Sequence, residues 1–155
     1  MKGSLTIVGL GPGAPELITP AVTDALKDST DIVGYSKYIE RVKDASGKSF
    51  HPSDNREEID RAELSINLAL KGKKVVVVSS GDPGVFAMAS AIFEVVDKKN
   101  ISIDDLSIVV LPGITALLAA SARLGAPIGH DFCVINLSDN LKSVSYTHLT
   151  LPTKA

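Results

Sequence analysis

Short runs of consecutive apolar residues, separated by segments with helical patterning, constrain the fold of this sequence more than any other feature. Five such runs are predicted strands: residues 5–10, 31–35, 75–78, 107–111 and 132–137. Nearly continuous apolar character indicates strands buried on both faces, as in a parallel sheet with helical crossovers. The predicted fold class is therefore α/β, with an open, mostly parallel sheet and flanking helices.

Helix start and stop signals fill the gaps between these predicted strands. Thr19 followed by Pro20 predicts the N-cap and first turn of a helix. Asp54 and Glu57 form a capping-box pattern, and the apolar helical face that follows them ends near Gly72. The other predicted helical segments are residues 36–44, as a polar helix or turn, 85–98, and 115–124.

Composition narrows the class of protein further. The chain has 155 residues, of which 45% are hydrophobic, and this is enough for one domain with its own core. A net charge of −2 provides no overall field for nucleic acid or an anionic membrane. The one cysteine, Cys133, lies in a predicted strand, where packing is the expected role, and cannot form an internal disulfide. With no signal peptide or membrane span in the sequence, we expect a cytoplasmic protein.

Three loops rich in small residues follow predicted strands, at the sheet edge where open parallel sheets bind ligands. They are the first loop (residues 9–13), the acidic loop (79–84) and the third loop (112–116). The first loop spells a dinucleotide fingerprint, but Pro12 and the cap at Thr19 delay the helix that this fingerprint requires. Each loop alone is also explained by an ordinary turn or cap. Together they suit a flat, adenosine-like ligand.

Other chemistries have little support in the sequence. His51, His130 and His148 are far apart, so we expect no protein-bound metal. Sequence signatures of nucleophilic hydrolysis and of P-loop phosphoryl transfer are lacking. His130 with Asp131 is consistent with an acid/base pair, and equally with a polar turn.

The motifs taken together resemble those of a known family. VGLGPGAPELIT (residues 8–19), VVSSGDPGVFAMA (77–89) and LPGITALLAA (111–120) resemble the tetrapyrrole methylase family in order and spacing. DIVGYSKY (31–38) and RLGAPIGHDFCVINLSD (123–139) resemble its subgroup that methylates C17 of precorrin-3B or cobalt-factor III, with ring contraction, in corrin biosynthesis. The resemblance covers essentially residues 5–142.

This resemblance implies an S-adenosylmethionine-dependent C-methyltransferase with two α/β domains, in which cofactor and tetrapyrrole meet in a trough, usually as a homodimer. The implied cofactor contacts are Leu10, Pro12, Ser80, Gly81, Asp82, Val85, Thr115 and Ala116. Pro12 and Gly13 are also implied to face the tetrapyrrole. No catalytic residue is identified, because the base needed for ring contraction is unknown. Candidate cations for the carboxylates of the substrate are Lys37, Arg41, Arg56 and Arg61.

The resemblance also sets expectations about domains. Residues 1–137 are expected to form the N-terminal methylase domain and 138–142 the start of a linker to a second domain. Residues 143–155 resemble the translated end of a sequencing-library adapter and are expected to be non-native. A chain without its second domain should bind cofactor weakly or not at all.

Two alternatives to C17 methylation stay open. One is another methyltransferase of the family that acts at a different macrocycle position. The other is an inactive fragment or a nucleotide-type binding domain.

Overall fold

Five strands of the described chain form one parallel sheet. A computed structural model describes residues 2–42, 46–102 and 104–136. The strands are β1 (Ser4–Gly9), β2 (Asp31–Tyr35), β3 (Ser49–Ser53), β4 (Lys74–Ser79) and β5 (Ser107–Leu111). Their order across the sheet is β3-β2-β4-β1-β5, and all four neighbouring pairs are parallel. The predicted α/β class is confirmed, and β4 is the middle strand, with β2 and β1 on either side of it.

Helices cover both faces of the sheet. They are α1 (Pro20–Asp28), α2 (Ser36–Ile39), α3 (Glu58–Leu70), α4 (Met88–Lys98) and α5 (Ala116–Leu124). One core cluster joins α3 and α4 to the sheet, and a second joins α1 and α2 to the opposite face. Within β4, Val75 and Val77 belong to the first cluster, whereas Val76 and Val78 belong to the second. This alternation explains the unbroken apolar run, since each buried valine contributes about 1.5–3 kcal/mol on either face.

Helix ends follow the start and stop signals of the sequence in most places. The Thr19 and Thr115 hydroxyls accept hydrogen bonds from the amides three residues later, at 3.4 and 3.3 Å, and so cap α1 and α5. Gly72 follows the end of α3 with a φ of +87°. The predicted capping box is half formed: the Asp54 amide donates to a carboxylate oxygen of Glu57 at 3.0 Å, but the Asp54 carboxylate accepts from Asn55, and α3 begins after Glu57 as its N-cap.

The edge strand β3 was not predicted. It contains the sequence SFHPS, in which only Phe50 is a strongly apolar strand former, and Pro52 is tolerated because the strand lies at the sheet edge. The amide of Ser49 donates to the carbonyl of Thr30, and the imidazole of His51 lies 2.9 Å from a carboxylate oxygen of Asp31. Pairing with β2 therefore stabilises a strand that the local sequence does not favour.

The carboxyl group of Asp31 is almost fully buried, at 3% exposure. Burial raises its pKa, but hydrogen bonds from His51 and Thr30 and the positive charge of Lys73 outweigh this effect. The resulting pKa lies below the ordinary value of 3.8. The ionised carboxylate is thus the form that the fold stabilises.

Two further predictions were also wrong: the fifth strand, and the first residue of α4. Residues 132–136 do not form a strand, and Phe132 and Cys133 are exposed, so the expected packing role of this cysteine is not borne out. A strand there would need a neighbour to pair with, and none of the described strands pairs with this segment. Helix α4 begins at Met88 and not at residue 85, since Phe86 has a φ of +50°.

Several predictions lie outside the described part of the chain. These are the domain boundary at 137, the linker 138–142 and the non-native segment 143–155. Within the described residues, no helix has the length and apolarity needed to cross a bilayer.

Candidate functional site

The three predicted loops meet at the carboxyl ends of β4, β1 and β5. These strands are neighbours in the sheet, so the loops that leave them lie side by side. The amide of Leu10 donates to the carbonyl of Ser79 at 2.8 Å, which extends the β1–β4 pairing beyond the strands. The convergence expected from the sequence is therefore confirmed.

The first loop and the acidic loop are joined by a reciprocal pair of backbone hydrogen bonds. The Gly11 amide donates to the Gly81 carbonyl at 3.2 Å, and the Gly81 amide donates to the Gly11 carbonyl at 2.9 Å. Both residues have positive φ, +67° and +61°. Glycine adopts this backbone conformation without the steric cost that a side chain would add, so the sequence permits the pair.

The carboxylate of Asp82 joins the acidic loop to the third loop. One carboxylate oxygen accepts a hydrogen bond from the amide of Gly84 at 2.8 Å, and the other accepts one from Gly113 at 3.0 Å. The first bond is the local turn that the sequence suggested, whereas the second spans 31 residues. Each oxygen keeps a further lone pair. The half-buried Asp82 thus organises the loops and can still accept from a ligand.

Gly9, Gly81 and Gly113 form the contact point of the three loops. A Cβ atom on Gly9 would overlap the Gly81 carbonyl oxygen and lie 2.9 Å from Cδ of Pro83 and 3.0 Å from Cα of Gly113. A Cβ atom on Gly113 would lie 2.7 Å from the Gly9 carbonyl oxygen. Such approaches leave no room for a side chain. The loop contact is built from backbone atoms.

The residues predicted to contact the cofactor differ in their exposure and in their hydrogen bonds. Leu10 is fully buried, with its side chain in the second core cluster and its amide and carbonyl hydrogen-bonded to Ser79 and Arg41. Val85 is exposed, and Ser80 is partly exposed. Thr115 uses its hydroxyl as the α5 cap, and the amide of Ala116 has no acceptor among the described residues.

The predicted substrate contacts lie further out on the first loop. Pro12 is partly exposed and Gly13 is exposed, with open space where a Cβ atom on Gly13 would lie. Helix α1 starts only at Pro20, after a 3₁₀ turn over Pro15–Leu17. The helix does not begin among the glycines, so the dinucleotide-fingerprint interpretation fails as expected.

The four candidate cations occupy different environments. Lys37 and Arg56 are exposed. Arg61 is buried at 4% exposure, and its guanidinium donates to the Ser53 hydroxyl at 2.7 Å, to the Asp54 carbonyl and to the Met88 sulfur. These bonds tie β3 and the following turn to the start of α4. Desolvation lowers the pKa of Arg61 from its ordinary value.

Arg41 has a role that the sequence did not suggest. Its Nη2 donates to the carbonyl of Leu10 at 2.7 Å and to that of Gly11 at 3.3 Å. Because the Gly11 carbonyl also accepts from Gly81, this guanidinium supports both the first loop and the acidic loop. No local motif signals such a contact across 30 residues.

Ser79, the first residue of the acidic loop, makes a contact that sequence reasoning did not predict. It is buried at 2% exposure, and its hydroxyl accepts from the amide of Met88 at 3.4 Å. The contact fixes the first residue of α4 against the end of β4. The polar residue directly after four valines was the available signal.

Evidence for metal or acid/base chemistry is weak at this edge. Among the described residues, no group of three or more His, Cys, Asp or Glu side chains is placed to hold a metal ion. His130 and Asp131 are both exposed, which is compatible with the polar-turn interpretation.

Comparison with known proteins adds independent findings. A family model described as Tetrapyrrole (Corrin/Porphyrin) Methylases matches residues 4–152. A Precorrin-3B C(17)-methyltransferase from Sinorhizobium sp is 47% identical over 142 residues, covering 92% of this chain and 56% of the relative. The chain thus spans little more than half the length of that relative.

Two solved structures share the fold. The crystal structure of the methyltransferase CobJ superposes with a TM-score of 0.85 at 55% identity, covering 92% of this chain and 59% of that one. Uroporphyrin-III C-methyl transferase from Thermus thermophilus, complexed with S-adenosyl homocysteine, gives 0.65 at 27% identity, covering 83% of this chain and 54% of that one.

Proposed function

This chain belongs to the tetrapyrrole (corrin/porphyrin) methylase family, and from that membership we propose that it forms the loop-bearing part of an S-adenosylmethionine-dependent C-methyltransferase. The proposed reaction is methylation of C17 of precorrin-3B or cobalt-factor III, with ring contraction. The observation that carries the proposal is the joining of the three loops through the Gly11–Gly81 pair and the Asp82–Gly113 bond. The identity to a precorrin-3B C17-methyltransferase supports the substrate class.

The residues present at the loops fit a nucleoside-type cofactor. The Asp82 carboxylate offers free lone pairs to ribose-type hydroxyls, and the amides of Ala116 and Leu117 in the first turn of α5 have no acceptor among the described residues. The glycine contact lets a flat group approach the backbone closely. When bound, S-adenosylmethionine supplies a sulfonium methyl group to a nucleophilic ring carbon.

The proposed part of this chain in the reaction is alignment and exclusion of water. The first loop lies beside the acidic loop, so Pro12 and Gly13 would contact the tetrapyrrole next to the cofactor. Holding methyl donor and acceptor carbon in line is a large source of rate acceleration in itself. This alignment depends on two side chains. Arg41 holds the first loop through its carbonyls, and Asp82 joins the acidic loop to the third loop.

We further propose that the full-length enzyme is a cytoplasmic homodimer. The family resemblance supports the homodimer, and the single cysteine is compatible with a reducing compartment.

The test is a titration of S-adenosylhomocysteine by calorimetry, followed by a methyl-transfer assay. The protein is used both as this chain and as a chimera in which residues 1–142 are joined to the remaining part of the Sinorhizobium relative. We expect the chimera to bind, this chain to bind weakly or not at all, and Asp82→Ala to abolish binding by the chimera. The matched control is Asp104→Ala, since that exposed carboxylate has no hydrogen-bond partner among the described residues.

The transfer assay separates the open alternatives. With trideuteromethyl-labelled cofactor, precorrin-3B and cobalt-factor III are each incubated with the chimera, and the products are examined by mass spectrometry and NMR. Label at C17 supports the proposal, and label at another ring position favours another methyltransferase of the family. Absence of S-adenosylhomocysteine binding by the chimera would overturn the cofactor assignment and favour an inactive domain.

A further inference from the structure

A cavity of about 330 Å³ opens beside the first loop, between that loop, α1 and the segment that follows α2. Its walls are largely apolar and include Ile18, Leu26 and Val42. Gly13, which is expected to face the tetrapyrrole, also lines it. The cavity is therefore continuous with the proposed substrate position, and its size suits a small group and not a whole macrocycle.

One cation in the cavity wall has hydrogen-bonding capacity to spare. Nη2 of Arg41 is used by the carbonyls of Leu10 and Gly11, but the three N–H groups on Nε and Nη1 have no acceptor among the described residues. The described residues contain no fully buried side-chain nitrogen or oxygen without a partner, so these N–H groups are open to solvent. They are free to donate to an incoming anion.

The other charges at the cavity do not cancel this cation. Lys27 lines the cavity and lies 3.9 Å from a carboxylate oxygen of Asp24, with both side chains exposed. Glu40 also lines it and opposes an anion, but it is exposed, and water and salt screen it. No carboxylate lies within ion-pair distance of Arg41 among the described residues. A half-buried guanidinium above apolar walls matches a methylene chain that ends in a carboxylate.

We propose that this cavity is a subsite for one aliphatic carboxylate arm of the tetrapyrrole, with the arm's methylene groups against the apolar wall and its carboxylate on Nε or Nη1 of Arg41. The inference rests on the proposed function, because it takes the tetrapyrrole as the bearer of the arm. It gives Arg41 two tasks: Nη2 holds the first loop, and the other nitrogens bind substrate. Charge-assisted bonds of this kind are stronger than neutral ones.

The test uses butyrate as a probe for the arm and 1-butanol as its neutral counterpart of similar shape. Each is titrated into the ¹⁵N-labelled chain, and the backbone amide shifts are followed by NMR. We expect saturable shifts for Gly13, Leu26 and Val42 with butyrate, and at least fivefold weaker binding of butanol. Equal binding of the two probes, or butyrate shifts spread over the whole surface, would overturn the proposal.

Variants separate loss of the subsite from damage to the loop. Arg41→Met should abolish butyrate binding, but it also releases the loop carbonyls. Thr23→Leu fills the cavity without touching Arg41, and the Thr23 backbone amide still donates to the Thr19 carbonyl. We expect it to abolish binding as well. Arg123→Met removes the same charge on α5, outside the cavity, and should leave binding unchanged.

Failure of this inference is distinguishable from failure of the proposed function. Butyrate binding needs no cofactor, whereas S-adenosylhomocysteine binding by the chimera needs no carboxylate arm. Butyrate binding that persists unchanged in Thr23→Leu overturns the subsite alone. A chimera that binds no S-adenosylhomocysteine removes the cofactor assignment and leaves the subsite result standing.

Discussion

Replacing Asp82 by alanine should weaken the fold by a measurable amount, apart from any effect on a ligand. The substitution removes two hydrogen bonds, at 2.8 and 3.0 Å, that the carboxylate accepts from the amides of Gly84 and Gly113. A bond to a charged group contributes about 1.5–3 kcal/mol when protected. Asp82 is only half-buried, and water replaces part of what is lost. We expect the free energy of unfolding to fall by about 1–3 kcal/mol.

The assay for this prediction is thermal unfolding followed by circular dichroism, with a two-dimensional NMR spectrum of each variant. For a domain of this size the loss corresponds to a fall in Tm on the order of 5 °C. Asp82→Asn keeps one acceptor oxygen and should lose less, and Asp104→Ala should match the parent chain. An Asp82→Ala variant with unchanged Tm and an unchanged Gly113 amide shift would refute the reasoning, since the bond between the loops would then contribute nothing.

Three further predictions follow from other contacts. Gly113→Ala places a Cβ atom against the Gly81 carbonyl oxygen and should cost about 1–3 kcal/mol in urea denaturation, so an unchanged midpoint would contradict the contact. The pKa of Asp31 is lowered in the folded state, so its stabilisation is present above about pH 4 and is lost as the pH falls through the folded value. Asp31→Asn should therefore flatten the acid side of the stability profile measured in urea, and a profile parallel to the parent's would exclude this source of stability. Thr115→Ala and Thr19→Ala each remove one helix cap and should each lower the free energy of unfolding by about 1 kcal/mol. Only Thr115→Ala should weaken S-adenosylhomocysteine binding by the chimera. An equal loss of binding in both variants would exclude a ligand role for Thr115.

Much of the fold was predictable because its central strands are encoded locally. Four valines in a row admit few alternatives to a doubly buried strand, and β1 has a similar apolar run. Edge strand β3 was missed because its sequence is mainly polar and includes a proline. Its stability comes from pairing with β2 and from the contact between His51 and Asp31, which are 20 residues apart.

The candidate site was likewise predictable only in its local features. The loops were recognised from their glycines and prolines and from the strands before them, all of which are local signals. The contacts that hold the loops together were not predictable, since Arg41 reaches back 30 residues to Gly11 and Asp82 reaches forward 31 residues to Gly113. A sequence indicates which side chains are able to make such bonds, but only the folded chain selects the partners.

The all-backbone contact of Gly9, Gly81 and Gly113 has a consequence for redesign. Backbone atoms make this contact, and the Asp82 carboxylate accepts from Gly113 beside it, so the three glycines and Asp82 are positions to leave unchanged. Changes in substrate preference are therefore best sought in the wall of the adjacent cavity, at positions such as Ile18 and Thr23. Variant libraries aimed at altered substrate specificity would then keep the glycine contact unchanged and vary only the cavity wall.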